Sequence, residues 1–554
     1  MINFDLDIEE FLGLVKDVLT DNEKGISAPA FVQLMAKVRV ECSPLKLYSV
    51  LQQARYSYLL ESVEKEKRHA RFSFVGADPD VVVSIKNRVL TLDFSKDSMK
   101  KSRSNPIESG LMDYIQSKVA QVCTVEAVGN GVLRAQINEG IDVLDAFRAV
   151  FPTANGTLLL NQKRFDRQTF LGGAIGYNGY DIVYDSWLDI EKKFDSGVPD
   201  MQFALTTRTF VFDHLTYDTY IVVTPFVTAG CDPEYVYEDA LLDAELMCDY
   251  LVMAAETEAT DRTSGNDIEV MTMSDPACNM ERKEFENAVL VAKKHIIDGD
   301  IFQVVLSRRY SVKIKQTPLE LYRTLRKINP SPYMYLFKFS DLAIVGASPE
   351  TLMTVHQRKV ITNPIAGTCP RSGNEEEDAE SARRMLDDEK ECAEHVMLVD
   401  LGRNDVRMVS KGGTIKVDDF MSVVKYSHVQ HIESTVSGVL QDECDQFDAT
   451  RAIFPAGTLS GAPKIRAMEI IDSLETTARG IYGGGVGYYS WNGDADFAIV
   501  IRTIILKDDT AYVQAGAGIV ADSDPAYEYN ETERKMAAMI NAIGSSVSRT
   551  GGKQ

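Results

Sequence analysis

Residues 332–363, PYMYLFKFSDLAIVGASPETLMTVHQRKVITN, form the stretch that is most typical of one class of fold. Aromatic and β-branched residues dominate it, and polar residues interrupt it at short intervals, which predicts a cluster of strands joined by hairpins. Residues 378–401 then predict a long helix, and further strand-like runs continue to about residue 520. Strand clusters with separate helices predict an α+β fold with large, antiparallel-rich packed sheets and helices outside them.

The rest of the chain fits the same class. One further strand is predicted over 30–42. Helices are predicted within 1–25 and after Ser43-Pro44, where Ser is the N-cap and Pro the first helical residue. Three more helices are predicted at 107–121, 233–256 and 525–543. The remainder of 95–140 is polar and weakly patterned. The polar segment 256–268 is the best linker candidate, and 544–554 predicts a disordered tail.

Composition narrows the possible functions. The 554-residue chain is 45% hydrophobic and 25% charged, which is typical of a globular protein. Its net charge of −23 argues against nucleic acid or anionic membranes as partners. The eight cysteines form no CxxC pair, the acidic N-terminus does not resemble a signal peptide, and no apolar run reaches the roughly 18 residues that span a bilayer. These features predict a cytoplasmic protein.

Two Glu-x-x-Glu pairs carry the clearest chemical signal. Glu391 and Glu394 lie in DDEKECAEHVMLVDL, and Glu528 and Glu531 lie in DPAYEYNETERKMAAMI. A spacing of three places both carboxylates of a pair on one face of a helix. Two such faces opposite each other would form a Mg²⁺ site, since Mg²⁺ is held by one or two carboxylates with water and substrate. The alternative for either pair alone is a solvated helix face.

Four further side chains are candidates for chemistry. Gln303 begins a predicted strand, and Glu350 stands at a strand end, where a general acid or base is often placed. Arg502 lies in the apolar predicted strand FAIVIRTIIL and needs an anionic partner there. His431 alternates within a strand-like run. The alternatives are an edge side chain for Gln303, a turn residue for Glu350 and a core histidine for His431.

Three glycine-bearing segments offer backbone groups. PIAGT (364–368) and AGTLSGAPK (456–464) are predicted turns whose N–H groups could receive a carboxylate. The second lacks the Gly-Lys-Ser/Thr ending of a phosphate-binding loop. YGGGVGY, which begins at Tyr482, would let the backbone approach a ligand closely, and a glycine-bearing bulge is the alternative.

Taken in order, these segments resemble the chorismate-utilising enzymes, and most closely the large subunits of anthranilate synthases. The resemblance is dense over 280–541 and thinner over 30–225. The motifs that carry it are DIFQVVLSRR, NPSPYMYL, GASPE, PIAGT, KECAEHVMLVDLGRND, YSHVQHIES, AGTLSGAPKIRAMEIID, YGGGVGY and AGAGIVADSDPAYEYNET, with YLLESVE, RFSFVG and GGAIGYNGYD in the thinner part. It implies two packed sheets shared by a regulatory half, 1–270, and a catalytic half, 275–541.

The resemblance implies a Mg²⁺ cofactor and a chorismate site. Glu394 and Glu531 match the metal ligands, and Glu391 and Glu528 match carboxylates that support them through water. The residues that match the substrate cradle, or whose backbone would receive a carboxylate, are Thr458, Tyr482, Arg502, Gly518, Lys535, Gly367 and Thr368.

The resemblance also implies the order of chemical steps. Glu350 matches the acid that protonates the departing C4 hydroxyl of chorismate as ammonia adds at C2, which gives 2-amino-2-deoxyisochorismate. Loss of the C2 proton and of pyruvate then yields anthranilate, and His431 matches the residue that serves this second half. Gln303 stands where isochorismate synthases carry a water-activating Lys, which favours ammonia. Ala366 stands where many aminodeoxychorismate synthases carry a nucleophilic Lys.

A tryptophan feedback site is implied as well. The matching positions are Leu60, Glu61, Ser62, Asn329, Pro332, Tyr333 and Met334. The alternative is that residues 58–62 form only a core strand. No cysteine has the Gly-x-Cys-x-Gly context of a fused glutaminase, so we expect a separate glutaminase subunit and a hetero-oligomer. Two other functions stay open at this point: an aminodeoxychorismate synthase that lacks the Lys, and a non-catalytic tryptophan-binding subunit.

Two places depart from the family pattern. Arg407 and Met408 stand where the family usually shows Gly and a basic residue, which predicts an altered local turn. Asn363 precedes PIAGT where Arg is frequent.

Overall fold

The computed structural model describes residues 2–20, 28–62, 71–94, 106–188, 190–257, 276–426 and 429–544. The α-helices in these residues are α1 Ile8–Thr20, α2 Pro44–Leu51, α3 Pro106–Val122, α4 Val143–Val150, α5 Val183–Ser186, α6 Pro233–Glu256, α7 Arg282–Ile297, α8 Pro318–Ile328, α9 Glu375–Asp387, α10 Glu389–Val409, α11 Gln446–Ile453, α12 Lys464–Leu474 and α13 Pro525–Gly544. Within the described part of the chain, none of these helices has the length and apolar character needed to cross a membrane. The predicted linker beyond residue 257 and the tail beyond residue 544 lie outside the described residues.

The strands of the same ranges are numbered in chain order. They are β1 Ala30–Val32, β2 Leu34–Val38, β3 Tyr56–Glu61, β4 Phe72–Ala77, β5 Val81–Lys86, β6 Val89–Asp93, β7 Cys123–Gly129, β8 Val132–Ile137, β9 Leu158–Leu160, β10 Gly173–Asn178, β11 Met201–Thr206, β12 Arg208–Asp213, β13 Asp218–Val223, β14 Phe226–Val227, β15 Ala277–Cys278, β16 Gln303–Lys313, β17 Tyr333–Phe339, β18 Leu342–Ser348, β19 Thr351–His356, β20 Lys359–Thr362, β21 Ile365–Pro370, β22 Lys416–Lys425, β23 Val429–Val439, β24 Gly461–Ala462, β25 Gly485–Ser490, β26 Ala495–Ile499, β27 Thr503–Lys507 and β28 Thr510–Ile519.

Two large sheets and one small sheet contain all of these strands. Sheet I has 13 strands in the order β21-β23-β20-β19-β26-β25-β10-β11-β5-β6-β8-β7, with β22 also paired to β23. Sheet II has 12 strands in the order β15-β16-β28-β27-β18-β17-β3-β4-β12-β13-β2, with β24 also paired to β16. The small sheet is β14-β1-β9, and its β1–β9 pair is parallel. The prediction of an α+β fold with large antiparallel-rich sheets is therefore confirmed.

The two sheets pack against each other and carry helices on their outer faces. One buried cluster contains side chains of both sheets, such as Phe337 of β17 and Tyr488 of β25, and fills the space between them. A second cluster joins sheet I to α3, α4, α10 and α11, and a third joins sheet II to α1, α2, α6, α8 and α13. Strands covered on both faces are mostly apolar, and β10 and β25 are buried at every position.

Both large sheets are built from distant parts of the chain. In sheet I, β10 pairs with β25 from Gly173↔Ser490 to Asn178↔Gly485. In sheet II, β3 pairs with β17 from Tyr56↔Phe339 to Glu61↔Met334. Strands that come early and late in the sequence therefore lie side by side at the centre of each sheet.

Two predicted elements are each divided in the structure. The single strand predicted over 30–42 is wrong: β1 and β2 belong to different sheets, and the buried Gln33 between them donates to the Leu171 carbonyl at 3.3 Å. The long helix predicted over 378–401 is also wrong, because Asp388 is extended (φ −79°, ψ 108°) and its side chain caps α10 at the backbone N–H of Lys390. The polar cap residue competes with helix continuation.

Two other predictions are corrected. The weakly patterned part of 95–140 contains the hairpin β7–β8, whose Asn130-Gly131 turn has positive φ at both residues, the usual chemistry of a two-residue hairpin. The turn predicted around Arg407 and Met408 is absent, because both residues continue α10 to Val409.

Candidate functional site

The two Glu-x-x-Glu pairs lie on helices that pack on different sheets. Glu391 and Glu394 are on α10, which contacts β21 and β23 of sheet I, whereas Glu528 and Glu531 are on α13, which contacts β28 of sheet II. The side chain of Gln303, the first residue of β16, donates to Glu394 Oε1 at 3.0 Å. The pairs therefore meet where the ends of the two sheets come together.

The four carboxylates lie close enough to repel one another. Burial raises the pKa of Glu391, and the neighbouring charges of Glu394 and Glu531 raise it further. Burial also raises the pKa of Glu394, although the hydrogen bond from Gln303 opposes that change. Burial, with help from Glu531, raises the pKa of Glu528 to about 7. This cluster favours a bound cation, which would relieve the repulsion.

The residues fit Mg²⁺ as a ligand set completed by substrate and water. Among the described residues, no three His, Cys, Asp or Glu side chains form a group that could hold a metal alone. Mg²⁺ does not need such a cage, since it usually keeps several waters. The Oε1 atom of Gln303 is buried and accepts no hydrogen bond within the described ranges, so this acceptor beside Glu394 is left unsatisfied.

Lys535 lies at the centre of this arrangement. It forms an ion pair with Glu531 at 2.6 Å, and its Nζ donates to the Gly516 carbonyl of β28 at 3.0 Å. Its charge also acts on Glu350 and His431, lowering the pKa of each. The predicted metal pairs, the predicted acid and the predicted base therefore surround one cationic side chain.

Glycines of β28 keep the neighbouring surface open. A Cβ on Gly518 would lie 2.7 Å from Gln303 Nε2 and 3.9 Å from Glu394 Oε1. A Cβ on Gly516 would lie 3.0 Å from the Tyr482 hydroxyl. Side chains at these two positions would displace the polar groups, so glycine leaves backbone facing the carboxylates and Tyr482.

Arg502 is not in a strand, contrary to the prediction. It lies between β26 and β27 with φ 53°, in the left-handed region that is uncommon for residues other than glycine. Burial lowers the pKa of Arg502, while Tyr482 and Glu531 favour its charge. Its guanidinium makes no hydrogen bond or ion pair with any residue that the structure describes. A half-buried cation without an internal partner is suited to bind an anion.

Glu350 lies between β18 and β19, as the strand-end prediction requires. Its carboxylate accepts a hydrogen bond from Thr458 Oγ1 at 2.8 Å, and its carbonyl accepts one from the Ile499 N–H at 3.0 Å. Burial raises the pKa of Glu350 to about 7, opposed by Thr458 and Lys535. A carboxyl group with such a pKa can hold a proton near neutral pH and release it during a reaction.

His431 lies on β23 beside a bulge in β21. Its Nδ1 is 3.0 Å from the Gly367 carbonyl and 3.0 Å from Thr368 Oγ1. Gly367 has φ +65°, and the register shifts between Ala366 and Thr368, so PIAGT is a bulged strand and not the predicted turn. Burial lowers the pKa of His431. The carbonyl contact favours the proton on Nδ1 and leaves Nε2 as the base.

The glycines of YGGGVGY accommodate neighbouring backbone. A Cβ on Gly484 would lie 2.1 Å from the Asn178 carbonyl oxygen, and one on Gly487 would lie 1.9 Å from that of Asp496. The close approach predicted for a ligand is therefore made by adjacent strands at these two positions.

A second pocket contains most of the predicted tryptophan residues. Its walls include Leu60, Glu61, Ser62, Pro332, Tyr333 and Met334, whereas Asn329 caps the end of α8 and is not a wall residue. The sequence did not indicate the other wall residues, which are Arg71, Phe72, Phe74, Arg167, Gln168, Tyr335, Val486, Gly487, Tyr488 and Asp496. Of these, Val486, Gly487 and Tyr488 lie in YGGGVGY, a motif that the sequence singled out for another role.

The pocket combines aromatic walls with buried carboxylates. Burial raises the pKa of Asp496 to about 6, and the side chain accepts hydrogen bonds from Gln168 Nε2 at 3.0 Å and from the Tyr333 hydroxyl at 2.9 Å. Glu61 is held by the Tyr322 hydroxyl at 2.6 Å and by Arg326 Nε at 3.0 Å. The pocket can therefore receive an aromatic ring together with a cationic group.

Asn363, where the family often carries Arg, has a defined role in packing. Its side-chain amide donates to Glu433 Oε1 at 3.2 Å and to Thr435 Oγ1 at 3.0 Å. Glu433 also accepts from the Tyr426 hydroxyl at 3.1 Å, and its charge raises the pKa of Glu350. No motif in the sequence indicated that the charge of Glu433 acts on the predicted acid.

Known proteins are similar in sequence to this chain over most of its length. A family model described as chorismate binding enzyme matches residues 155–541. Anthranilate synthase component 1 of Haloferax volcanii is 44% identical over 567 aligned positions, and the alignment covers 97% of this chain and 97% of that protein. Anthranilate synthase component 1 of Acetivibrio thermocellus is 40% identical, with 90% of this chain and 92% of its own covered.

Solved structures agree with the family match. Anthranilate synthase component I from Streptococcus pneumoniae superposes with a TM-score of 0.63 at 34% identity, covering 87% of this chain and 93% of its own. The menaquinone-specific isochorismate synthase from Escherichia coli has a TM-score of 0.61 at 15% identity, covers 96% of this chain and 98% of its own, and shares the fold. This chain therefore belongs to the chorismate-binding enzymes, and within them to the anthranilate synthase component 1 family.

Proposed function

We propose that this protein is the large subunit of an anthranilate synthase, which converts chorismate and ammonia to anthranilate and pyruvate in tryptophan biosynthesis. The observation that carries the proposal is the position of Glu350, a buried carboxyl with a pKa of about 7, hydrogen-bonded to Thr458 and close to Lys535. Lys535 pairs with Glu531, whose charge also acts on Arg502, a guanidinium that makes no hydrogen bond or ion pair with the residues that the structure describes. Family membership supports the choice of chorismate as substrate.

Two ends of the site would hold the two carboxylates of chorismate. Glu394 and Glu531 would hold Mg²⁺, with Glu391 and Glu528 behind them, and the ion would anchor the ring carboxylate. Arg502 and Tyr482 would bind the enolpyruvyl carboxylate, which supplies the anion that the guanidinium lacks within the described residues. This placement would orient the ring with its C4 hydroxyl toward Glu350.

Glu350 then acts as the general acid. Its protonated form is available near neutral pH because burial raises its pKa to about 7. Proton transfer to the C4 hydroxyl lets that group leave as water while ammonia adds at C2. Thr458 donates to Glu350 Oε1 and so fixes the rotamer of the carboxyl and stabilises the carboxylate that remains.

His431 acts in the second half of the reaction. Its Nδ1 faces the Gly367 carbonyl at 3.0 Å, so the neutral ring presents Nε2 as the proton acceptor. The lowered pKa keeps the ring neutral at physiological pH. Removal of the C2 proton by Nε2, with loss of pyruvate, gives anthranilate.

Product identity tests the proposal. Purified protein is mixed with chorismate, ammonium salt at alkaline pH and Mg²⁺, and products are identified by fluorescence and chromatography. Anthranilate that disappears on addition of EDTA is the expected result. Aminodeoxychorismate alone would instead indicate an aminodeoxychorismate synthase, and no turnover would favour a non-catalytic tryptophan-binding subunit.

The ammonia source is expected to be a separate glutaminase subunit. No cysteine of the chain lies in a Gly-x-Cys-x-Gly context, and "component 1" in the names of its relatives implies a second component. The pure chain is therefore expected to use ammonium but not glutamine, and to gain glutamine-dependent activity when a glutaminase subunit is added. Glutamine-dependent turnover by the chain alone, measured as anthranilate formed, would contradict this prediction.

We also propose that the second pocket binds tryptophan and that binding inhibits the enzyme. Phe72, Phe74 and Met334 offer apolar walls for an indole ring, and Asp496 offers a carboxylate for the α-ammonium group. The chemistry of the pocket matches an amino acid with a large aromatic side chain, which is the end product of the pathway.

Replacing Ser62 with Arg is expected to abolish inhibition by tryptophan. The larger side chain would fill the pocket, while Ser62 Oγ now only donates to the Pro332 carbonyl at 3.2 Å. Inhibition curves up to millimolar tryptophan measure the effect. Ser62→Ala is the matched control, since it removes the hydroxyl without filling the pocket and should remain inhibited. A wild-type rate that does not respond to millimolar tryptophan would show the feedback proposal to be wrong.

A further inference from the structure

Two tyrosines of β17 line the second pocket and bond to threonines next to the proposed chorismate site. Tyr333 and Tyr335 both line the pocket. The Tyr333 hydroxyl is 3.0 Å from Thr351 Oγ1, and the Tyr335 hydroxyl is 2.6 Å from Thr503 Oγ1. Each threonine is the first residue of its strand, β19 or β27.

Each of these threonines follows directly on a residue of the proposed chorismate site. Thr351 follows Glu350, the proposed acid, and Thr503 follows Arg502, the proposed carboxylate-binding group. The strand that leads to Glu350 also contacts Arg502, since the Ala347 N–H near the end of β18 donates to the Arg502 carbonyl at 3.2 Å. A displacement of either threonine would therefore move the backbone that presents one of the two groups.

The contact of Tyr335 requires a glycine in the strand it crosses. A Cβ on Gly346 of β18 would lie 2.2 Å from Cε2 of Tyr335, so the ring lies flat over this position and reaches Thr503 on the next strand. Tyr335 is 1% exposed, and its hydroxyl is held at Thr503. In a close-packed core, such a side chain transmits a displacement because its neighbours cannot absorb it.

The contact of Tyr333 is shared with a carboxylate of the pocket. Its hydroxyl lies 2.9 Å from Asp496 Oδ1 as well as 3.0 Å from Thr351 Oγ1. A ligand ammonium group that binds Asp496 would compete with the Tyr333 hydroxyl for that oxygen. Occupancy of the pocket would then alter the bond between Tyr333 and Thr351.

We propose that Tyr333 and Tyr335 are positioning residues that make the placement of Glu350 and Arg502 depend on occupancy of the second pocket. This inference rests on the proposed function, because it takes the roles of those two groups and tryptophan as the pocket ligand from it. Tyr333 acts on the acid and therefore on kcat. Tyr335 acts on the carboxylate-binding group and therefore on KM for chorismate.

The test uses Tyr333→Phe and Tyr335→Phe, with Tyr58→Phe as the matched control. The Tyr58 hydroxyl also donates to a threonine, Thr209 Oγ1 at 3.0 Å, and its ring also crosses a glycine, Gly76, in sheet II. Tyr58 is buried but does not line the pocket, and Thr209 does not follow a residue of the proposed site. The three tyrosines therefore share a hydroxyl bond to a threonine, and Tyr333 and Tyr335 differ from Tyr58 in lining the pocket and in leading to a residue of the proposed site.

Initial rates against chorismate concentration are measured without tryptophan and at saturating tryptophan, with tryptophan affinity measured by calorimetry. The quantity compared is kcat/KM without tryptophan divided by kcat/KM at saturating tryptophan. This ratio does not depend on tryptophan affinity, because the pocket is empty in one condition and full in the other. Both pocket variants are expected to lower this ratio at least about threefold, within the range by which mutations alter coupling between sites. Without tryptophan, Tyr333→Phe should change kcat, and Tyr335→Phe should change KM, whereas Tyr58→Phe should leave the ratio as in the wild type.

Thr351→Val and Thr503→Val remove the threonine hydroxyl from the same two hydrogen bonds. They provide a second test if either tyrosine variant folds poorly. Combining each with its tyrosine variant should add little, because the shared bond is already lost. The inference is overturned if both tyrosine variants keep the wild-type ratio, or if Tyr58→Phe lowers it equally. A wild type that binds no tryptophan overturns the feedback proposal and this coupling, whereas anthranilate formation would still stand.

Discussion

Glu350→Gln is expected to lower kcat for ammonia-dependent anthranilate formation by about 100- to 10,000-fold, the usual contribution of a general acid. Glutamine has nearly the same shape and can still accept a hydrogen bond from Thr458 Oγ1, which now donates to Glu350 Oε1 at 2.8 Å. The amide N–H is far too weak an acid to protonate the departing hydroxyl. The loss should therefore fall on kcat, with a smaller change in KM.

The pH dependence of the wild type should show the same group. Burial raises the pKa of Glu350 to about 7, and the reaction needs the protonated form, so kcat/KM should fall as pH rises through about 7. Burial lowers the pKa of His431, and the reaction needs its neutral form, so the rate should fall at acid pH, below the ordinary range of a histidine. Glu350→Gln should lose the alkaline fall and keep the acid one.

Two conditions make this measurement specific. Free ammonia, not total ammonium, must be held constant across the pH range, since only the free base can add at C2. Asp472→Asn serves as the control: Asp472 is a buried carboxylate of α12 that accepts from the Tyr184 hydroxyl at 2.9 Å, away from the proposed site. A variant at Glu350 that keeps more than a tenth of the wild-type kcat would remove this residue from the role of acid.

Glu394→Gln is expected to weaken the apparent affinity for Mg²⁺ by at least about 100-fold, because even groups behind metal ligands contribute about 10- to 100-fold. Gln303 Nε2 can still donate to the amide oxygen at this position, so the local fold should persist. Calorimetric titration with Mg²⁺ and the Mg²⁺ dependence of the rate both measure the loss.

Thermal unfolding gives a second measurement of Glu394→Gln, in which the variant should be more stable than the wild type although it binds Mg²⁺ more weakly. Burial raises the pKa of Glu394 and Glu531 adds to this, so the charged carboxylate is disfavoured in the folded chain. A neutral glutamine should therefore raise the Tm of metal-free protein and abolish the increase in Tm that Mg²⁺ causes. Glu389→Gln, an exposed carboxylate of the first turn of the same helix, should change neither. If Glu394→Gln keeps the wild-type response to Mg²⁺, the proposed metal site is wrong.

The periodic signals of the sequence were reliable where one helix or strand decides the geometry. The spacing of three placed each Glu pair on a helix, and alternation placed His431 on a strand. The same approach failed for Arg502. Apolar residues lie on both sides of it, from Phe497 to Leu506, and they conceal the change of direction between β26 and β27. A residue with φ 53° has no distinctive neighbours in the sequence.

The pocket shows a different limit of prediction from the sequence. Its walls come from β3, β4, β17, β25 and β26, and from residues 167–168, so no single segment contains its pattern. The motifs identified Ser62 and Tyr333, but Asp496 lies in a stretch with no such signal. Tertiary pairing of distant strands, which local periodicity does not encode, brings these residues together.

The pairing of β3 with β17 and of β10 with β25 has a consequence for how the chain is made. A ribosome releases β3 and β10 long before their partners, which lie 277 and 312 residues further on, counting from Tyr56 to Tyr333 and from Gly173 to Gly485. Until then the nascent polypeptide exposes two apolar, unpaired strand edges, which are sites of aggregation. Contacts so distant in sequence also slow folding, because a large loop must close before they form. Expression of the first 257 residues alone should therefore yield insoluble material, and synthesis in the cell should depend on chaperones that shield these edges.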